Sequence, residues 1–187
     1  MTPRNPEGTA VCPLAPAPHA TTKLTTFPEV RGRVTAMGNK AITILLIEDD
    51  ENDVTLVEIA LKGSQIPVIL KSVGDGLEGL NYLNGTGQFA DRTRFPIPNI
   101  IILDLKMPRM SGMEFLSYVK DHPELRIIPT IVMSASKLDA DVFRAYQLGA
   151  NSFMVKPNDL ATLTQMVKAI QEFWSMSEKP ILPRPPL

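Results

Sequence analysis

The chain has 187 residues, 44% hydrophobic and 21% charged, with a net charge of −1 and a pI near 6.1. That composition suits one globular domain with a proper core, and the near-neutral charge gives no electrostatic support for binding nucleic acid or a membrane surface. The lone cysteine, Cys12, cannot form an internal disulfide, no run approaches about 18 apolar residues, and the first residues lack the apolar stretch of a secretion signal; a reducing cytoplasm is the expected compartment.

Prolines partition the sequence. Ten of the 17 lie at the ends, six within residues 1–39 and four within 177–187. Residues 1–39 mix Pro, Thr, Ala and Gly without periodicity, which predicts a disordered tail; 177–187 reads as a second proline-rich tail, leaving 40–176 as the domain. Met37-Gly38 stands just before the ordered part, so Met37 is a candidate translation start, with residues 1–36 an upstream artefact. A natively expressed chain whose intact mass begins near Met1 would exclude that start.

From Ala41 a strand–helix unit repeats five times. Residues 42–47 read as a buried strand ending in Glu48-Asp49-Asp50. A helix over 51–62 carries Val54, Val57 and Leu61 at helical spacing, with Gly63 as its stop. Residues 68–73 form the second strand, and a helix over 76–84 closes at Asn84-Gly85. Ile100-Ile101-Ile102-Leu103 is an apolar run typical of a strand buried on both faces, with Asp104 at its tip and Pro108 preventing its continuation. The third helix shows Met113, Leu116 and Val119 on one face and ends before His122-Pro123. Residues 130–133 are the fourth strand; a helix over 138–148 has Ser136 and Asp139 at its start and Gly149 beyond its end. Residues 152–155 are the fifth strand, followed by a helix striped by Leu160, Leu163, Val167, Ile170 and Trp174. Five such units predict an α/β fold: a parallel sheet with helices on both faces.

In such sheets chemistry gathers at the carboxyl ends of the strands. Those ends offer Glu48 and Asp49, Asp104, Ser134 and Lys156. Three carboxylates at one edge repel each other unless a cation sits among them, and clustered oxygen donors with room for water suit Mg2+. A lysine and a hydroxyl opposite suit a phosphoryl group's oxygens, so Asp104 becomes a candidate nucleophile forming an aspartyl phosphate. Singly, each residue has a plainer reading: Asp49 or Asp50 as a helix cap, Asp104 and Ser134 as turn residues, Lys156 as a solvated lysine. Jointly, four strand ends offering complementary groups favour the chemical reading.

On Leu46-Ile47-Glu48-Asp49, Leu103-Asp104-Leu105-Lys106-Met107-Pro108 with Gly112, Met133-Ser134-Ala135 and Phe153-Met154-Val155-Lys156-Pro157, residues 41–176 resemble a response-regulator receiver domain of two-component signalling. The resemblance implies a flavodoxin-like (βα)5 fold, a doubly wound five-stranded parallel sheet of order 2-1-3-4-5. It further implies Mg2+ held by Glu48, Asp49, Asp104 and the backbone carbonyl of Lys106, and phosphoryl transfer to Asp104 from a histidine kinase. Lys156 would pair with the phosphoryl group across a cis bond to Pro157, Ser134 would move to bond a phosphoryl oxygen, and Phe153 would turn inward. Families of this kind more often carry Thr at position 134, and Tyr or Phe at 153. The long 84–99 segment and the Ile170-Gln171-Glu172-Phe173-Trp174 ending are similar to the stand-alone regulators of bacterial phytochromes; a tolerated surface loop is the alternative for the segment.

Other signals are set aside. Gly74-Asp75-Gly76-Leu77-Glu78-Gly79 is a literal dinucleotide-binding pattern, but it follows an edge strand in that order, away from the crevice. A dehalogenase-type phosphohydrolase would need an acid where Lys106 stands. His19 and His122 belong to no ligand pattern. The expected role is therefore a phospho-acceptor rather than a turnover enzyme, acting through protein–protein contact, with a homodimer over helix 4, strand 5 and helix 5 implied by the family. The alternative is a phosphorylation-independent interaction domain with the same fold. Lys106 and Ser136 line the path of an attacking water and would tune the phosphoryl lifetime.

Overall fold

Alternation within the strands decides how the sheet is covered. On β1 (Ile42–Ile47) the side chains of Ile42, Ile44 and Leu46 enter one apolar cluster, and those of Leu45 and Ile47 enter another. β3 (Ile100–Leu103) divides likewise, with Ile100 and Ile102 on one face and Ile101 and Leu103 on the other. All ten residues of these two strands are buried. Each fully enclosed Leu or Ile contributes about 1.5–3 kcal/mol, and this fixes the two strands as the centre of the sheet.

The computed structural model describes residues 41–62 and 66–178. The expectations for Gly63, for Met37 as a start, for the tail 1–39, and for the tail 177–187 apart from Ser177 and Glu178 lie outside the described residues. With β2 (Val68–Val73), β4 (Thr130–Ser134) and β5 (Ser152–Val155), the strands stand in the order β2-β1-β3-β4-β5, all parallel. Helices α1 (Glu51–Lys62) and α5 (Leu160–Met176) cover one face through Val57, Ala60, Leu163, Val167 and Ile170. Helices α2 (Gly76–Asn84), α3 (Gly112–Lys120) and α4 (Asp139–Gln147) cover the other through Leu80, Leu83, Phe115, Leu116, Val119 and Ala145. This is the doubly wound sheet order that the resemblance implies.

The helix boundaries follow from local chemistry. Ser111 and Glu114 form a reciprocal capping box at the start of α3. Gly85 ends α2 at φ +67, a left-handed conformation that suits glycine. The third helix ends before His122-Pro123 as expected, and Pro123 opens a separate one-turn helix, Pro123–Arg126, occupying the first helical position where its missing N–H costs nothing. Two expectations are corrected. Leu138, not Ser136 or Asp139, is the N-cap of α4, and Ser136 instead donates to Asp141 at 2.5 Å. Leu160, the first residue of α5, is exposed and leaves the apolar stripe, whose buried members begin at Leu163.

Within residues 85–99, an exposed stretch is anchored to the core at three apolar side chains. Phe89 is buried, Phe95 and Ile97 pack against the cluster under α2 and α3, and the Tyr82, Phe89 and Phe95 rings meet with centroids 5.2–5.9 Å apart. The Tyr82 hydroxyl donates to the carbonyl of Pro96 at 2.8 Å, while Arg92 donates to the carbonyls of Tyr82 and Leu83 at 2.8 and 2.6 Å and so satisfies the end of α2. Burial pushes the Tyr82 phenol up to about 12, against the pull of the Arg92 charge. The fold therefore favours the neutral ring. Its contribution is complete below the ordinary value of 10.0 and is lost as pH rises through about 12. In alkaline unfolding, Tyr82→Phe should lack the loss of stability seen in the wild type over that window; superimposable profiles would exclude the assignment.

Candidate functional site

Strand register brings the acids together. Ile47 lies beside Leu103, so the next residues, Glu48 and Asp104, emerge side by side at the carboxyl edge. The Asp104 N–H donates to the Ile47 carbonyl at 3.0 Å, and the Glu48 N–H to that of Val73 at 3.0 Å. Glu48 and Asp104 are buried and Asp49 is exposed; one carboxylate oxygen from each lies within 4.8 Å of the others. Lys156 follows β5, with its N–H donating to the Ser134 carbonyl at 2.9 Å. Its ammonium pairs with Glu48 at 2.7 Å and Asp53 at 2.6 Å, and stands 3.8 Å from Asp104.

Burial pushes the Glu48 carboxyl above its usual range and the Asp104 charge adds to this, while the bond to Lys156 works against it. For Lys156, burial lowers the affinity for its proton, but hydrogen bonds to Asp53 and Glu48 and the nearby charge of Asp104 outweigh it, so the ammonium is held more firmly than usual. Asp104 Oδ2 accepts from the Lys106 N–H at 3.2 Å, whereas Oδ1 is buried with no hydrogen-bond partner. An orphaned anionic oxygen is costly. The Asp104 carboxylate stands with those of Glu48 and Asp49, a set of hard-oxygen donors that fits a divalent cation.

The loop after Asp104 is closed tightly on itself. A side chain at Gly112 would collide with the Asp104 carbonyl, and the Gly112 N–H donates to the Leu105 carbonyl at 3.1 Å. Arg109 adopts φ +59 and its guanidinium pairs with the buried Asp75 and, at 3.0 Å, with Glu78. The Gly76 N–H donates to the Met110 carbonyl at 3.1 Å. Two of the three glycines in the 74–79 pattern thereby receive a packing explanation. A Cβ at Gly76 would press on Met110, and one at Gly79 would press on Ile47, so these glycines let α2 approach the acceptor loop and β1.

Ser134 is buried at the end of β4, where its Oγ accepts from the Ser136 N–H at 3.5 Å. Phe153 is half-buried against the cluster on the α2–α4 face, and its N–H donates to the Tyr146 hydroxyl at 3.2 Å. The Lys106 side chain is exposed. The His122 Nδ1–H donates to the Tyr118 carbonyl, 2.7 Å away, and the ring stacks on that of Tyr118, an α3 terminus contact rather than a ligand arrangement. The Lys156–Pro157 bond is trans, correcting the cis expectation; trans is the lower-energy isomer of an X–Pro amide by about 0.5–1 kcal/mol. Asp53 and Arg109 were not foreseen. An acid in a helix's first turn reads as a partner for the helix dipole, and a left-handed arginine has no sequence signature.

Comparison with known proteins gives a consistent set of likenesses. Residues 44–168 match the response regulator receiver domain. Response regulator Rcp1 of Synechocystis sp. is 37% identical over 136 residues, covering 73% of this chain and 90% of the relative. The crystal structure of the phosphorylated cyanobacterial phytochrome response regulator RcpA superposes with a TM-score of 0.70 at 36% identity, over 76% of this chain and 100% of that one. The Mn2+-bound form of Rcp1 superposes with a TM-score of 0.68 at 35% identity, over 75% and 99%.

Proposed function

We propose that this chain, which belongs to the response-regulator receiver family, is phosphorylated on Asp104 by a histidine kinase of the phytochrome-linked kind and signals through phosphorylation-dependent protein contact. It is a receiver and not a turnover enzyme. The observation carrying the reading is the convergence of Glu48, Asp49 and Asp104 with Lys156, beside an Asp104 oxygen that has no partner of its own.

In this reading residues 40–176 are the receiver, with proline-rich tails on either side. Glu48, Asp49, Asp104 and the Lys106 carbonyl would hold Mg2+, which when bound would supply positive charge beside the transferring phosphoryl group. An Asp104 carboxylate oxygen attacks the phosphorus of the kinase's phosphohistidine. The new O–P bond forms as the P–N bond breaks, and imidazole leaves with the electron pair. Lys156 then exchanges carboxylate partners for phosphoryl oxygens, Ser134 supplies a neutral donor, and Phe153 follows inward. The face of α4, β5 and α5 changes with them and supports a homodimer. Among the described residues no helix is long and apolar enough to cross a membrane, in keeping with a cytoplasmic site of action. Relatives named for phytochromes support the choice of kinase class.

The chemistry of the acceptor tests the reading. After exposure to a small phosphodonor with Mg2+, the label should be released by neutral hydroxylamine, which cleaves an acyl phosphate to a hydroxamate. A hydroxylamine-resistant label would place the phosphate on a hydroxyl, and a protein that never labels would move the reading to a phosphorylation-independent interaction domain.

A further inference from the structure

Asp53 lies in the first turn of α1, where an acid ordinarily serves the helix end. That end is already served, because Asp50 Oδ1 accepts from the Asn52 N–H at 2.8 Å. The Asp53 carboxylate turns instead to Lys156, 2.6 Å away, the shortest of that ammonium's three acidic contacts. Asp53 and Lys156 also line, with Leu46, Leu56, Met133 and Leu163, a cleft of about 40 Å3. This space has an apolar floor, so the ammonium's anionic neighbours there are Asp53, Glu48 and Asp104.

We propose that Asp53 is a positioning residue that holds the Lys156 ammonium in the resting arrangement and competes with the phosphoryl group on Asp104 for it. The inference rests on the phospho-acceptor reading above and deepens it. Lys156 has three N–H donors on one ammonium. Two are committed to Asp53 and Glu48 at hydrogen-bond distance, while Asp104 at 3.8 Å lies beyond it. A cation bound between Glu48 and Asp49 would take Glu48 as its own ligand. Asp53 would then be the remaining carboxylate holding Lys156 away from the acceptor. A contact made in the resting arrangement and weakened in the phosphorylated one biases the equilibrium toward rest by the difference in its strength. Asp53 thus sets how much of the phosphoryl group's binding energy is used in drawing Lys156 across.

The test uses beryllofluoride, a tetrahedral phosphoryl mimic, titrated into the full chain at saturating Mg2+ and followed by fluorine NMR. Asp53→Asn should bind it about three- to tenfold more tightly than the wild type, the range expected for loss of one charge-assisted hydrogen bond at a partly exposed site. Asp53→Glu, which keeps the charge, should stay near the wild type. In a Lys156→Gln background, Asp53→Asn should change nothing, because the competitor and its target would both be gone. The inference is overturned if Asp53→Asn binds equally or more weakly, or if the gain persists without Lys156, since a gain of that kind comes from the general field of the acids. A wild-type protein that binds no beryllofluoride would overturn the phospho-acceptor reading together with the inference.

Discussion

Tyr82→Ala lowers the stability of the domain by about 3–5 kcal/mol, measured as a fall in the urea midpoint, and exposes residues 85–99 to limited proteolysis. The magnitude follows from what the ring holds. Tyr82 is among the largest fully enclosed side chains, with 1% exposure. It bridges α2 to Phe89 and Phe95, and its hydroxyl ties Pro96 to the same helix. Removing the ring opens a cavity in the larger core cluster and strips the segment of its anchor. Tyr82→Phe keeps the packing, loses one hydrogen bond, and should cost about 1 kcal/mol. A Tyr82→Ala variant that loses no more than Tyr82→Phe would mean that the segment packs independently of α2.

Mg2+ at about a hundred times its dissociation constant raises the unfolding free energy by about 2.7 kcal/mol, an upward shift of the thermal midpoint by roughly 5–10 °C for a chain of this size. The cause is the acidic edge. Glu48, Asp49 and Asp104 bring carboxylate oxygens within 4.8 Å of one another, with Lys156 as their compensating cation. A bound divalent ion relieves that repulsion in the folded state alone. Asp49→Asn is the informative variant because Asp49 is exposed and its loss leaves the buried packing intact. It should abolish most of the shift. A midpoint indifferent to Mg2+, or a shift retained in Asp49→Asn, would place the cation elsewhere.

The fold was legible because its strongest signals are periodic. Ile100–Leu103 carries no polar interruption, so a strand covered on both faces was the economical reading, and parallel strands needed helices between them. The acids, Ser134 and Lys156 were legible for a related reason: each stands where an apolar strand stops, and strand ends share an edge in three dimensions. What stayed hidden depends on geometry that residue types do not encode. Asp53 sits where an acid is ordinary, and only the side chain's direction reveals its partner. Arg109 combines a left-handed backbone with ion pairs to Asp75 and Glu78 across the α2 junction, contacts distant in sequence. The 85–99 segment looked loop-like because its anchors, Phe89, Arg92 and Phe95, are scattered among polar residues, and their common partner is the distant Tyr82. The literal glycine pattern, set aside as a dinucleotide site because it follows an edge strand, has its cause in packing, since close helix approach at Gly76 and Gly79 demands the same small residues as phosphate binding.

Intact mass spectrometry after incubation with a small phosphodonor, with and without Mg2+, puts the central claim at risk most directly. The wild-type chain should gain the mass of one HPO3 unit only when Mg2+ is present, and Asp104→Asn should gain none. A wild-type protein that stays unmodified with Mg2+, or an Asp104→Asn variant that labels equally, would contradict the assignment of Asp104 as the phosphoryl acceptor.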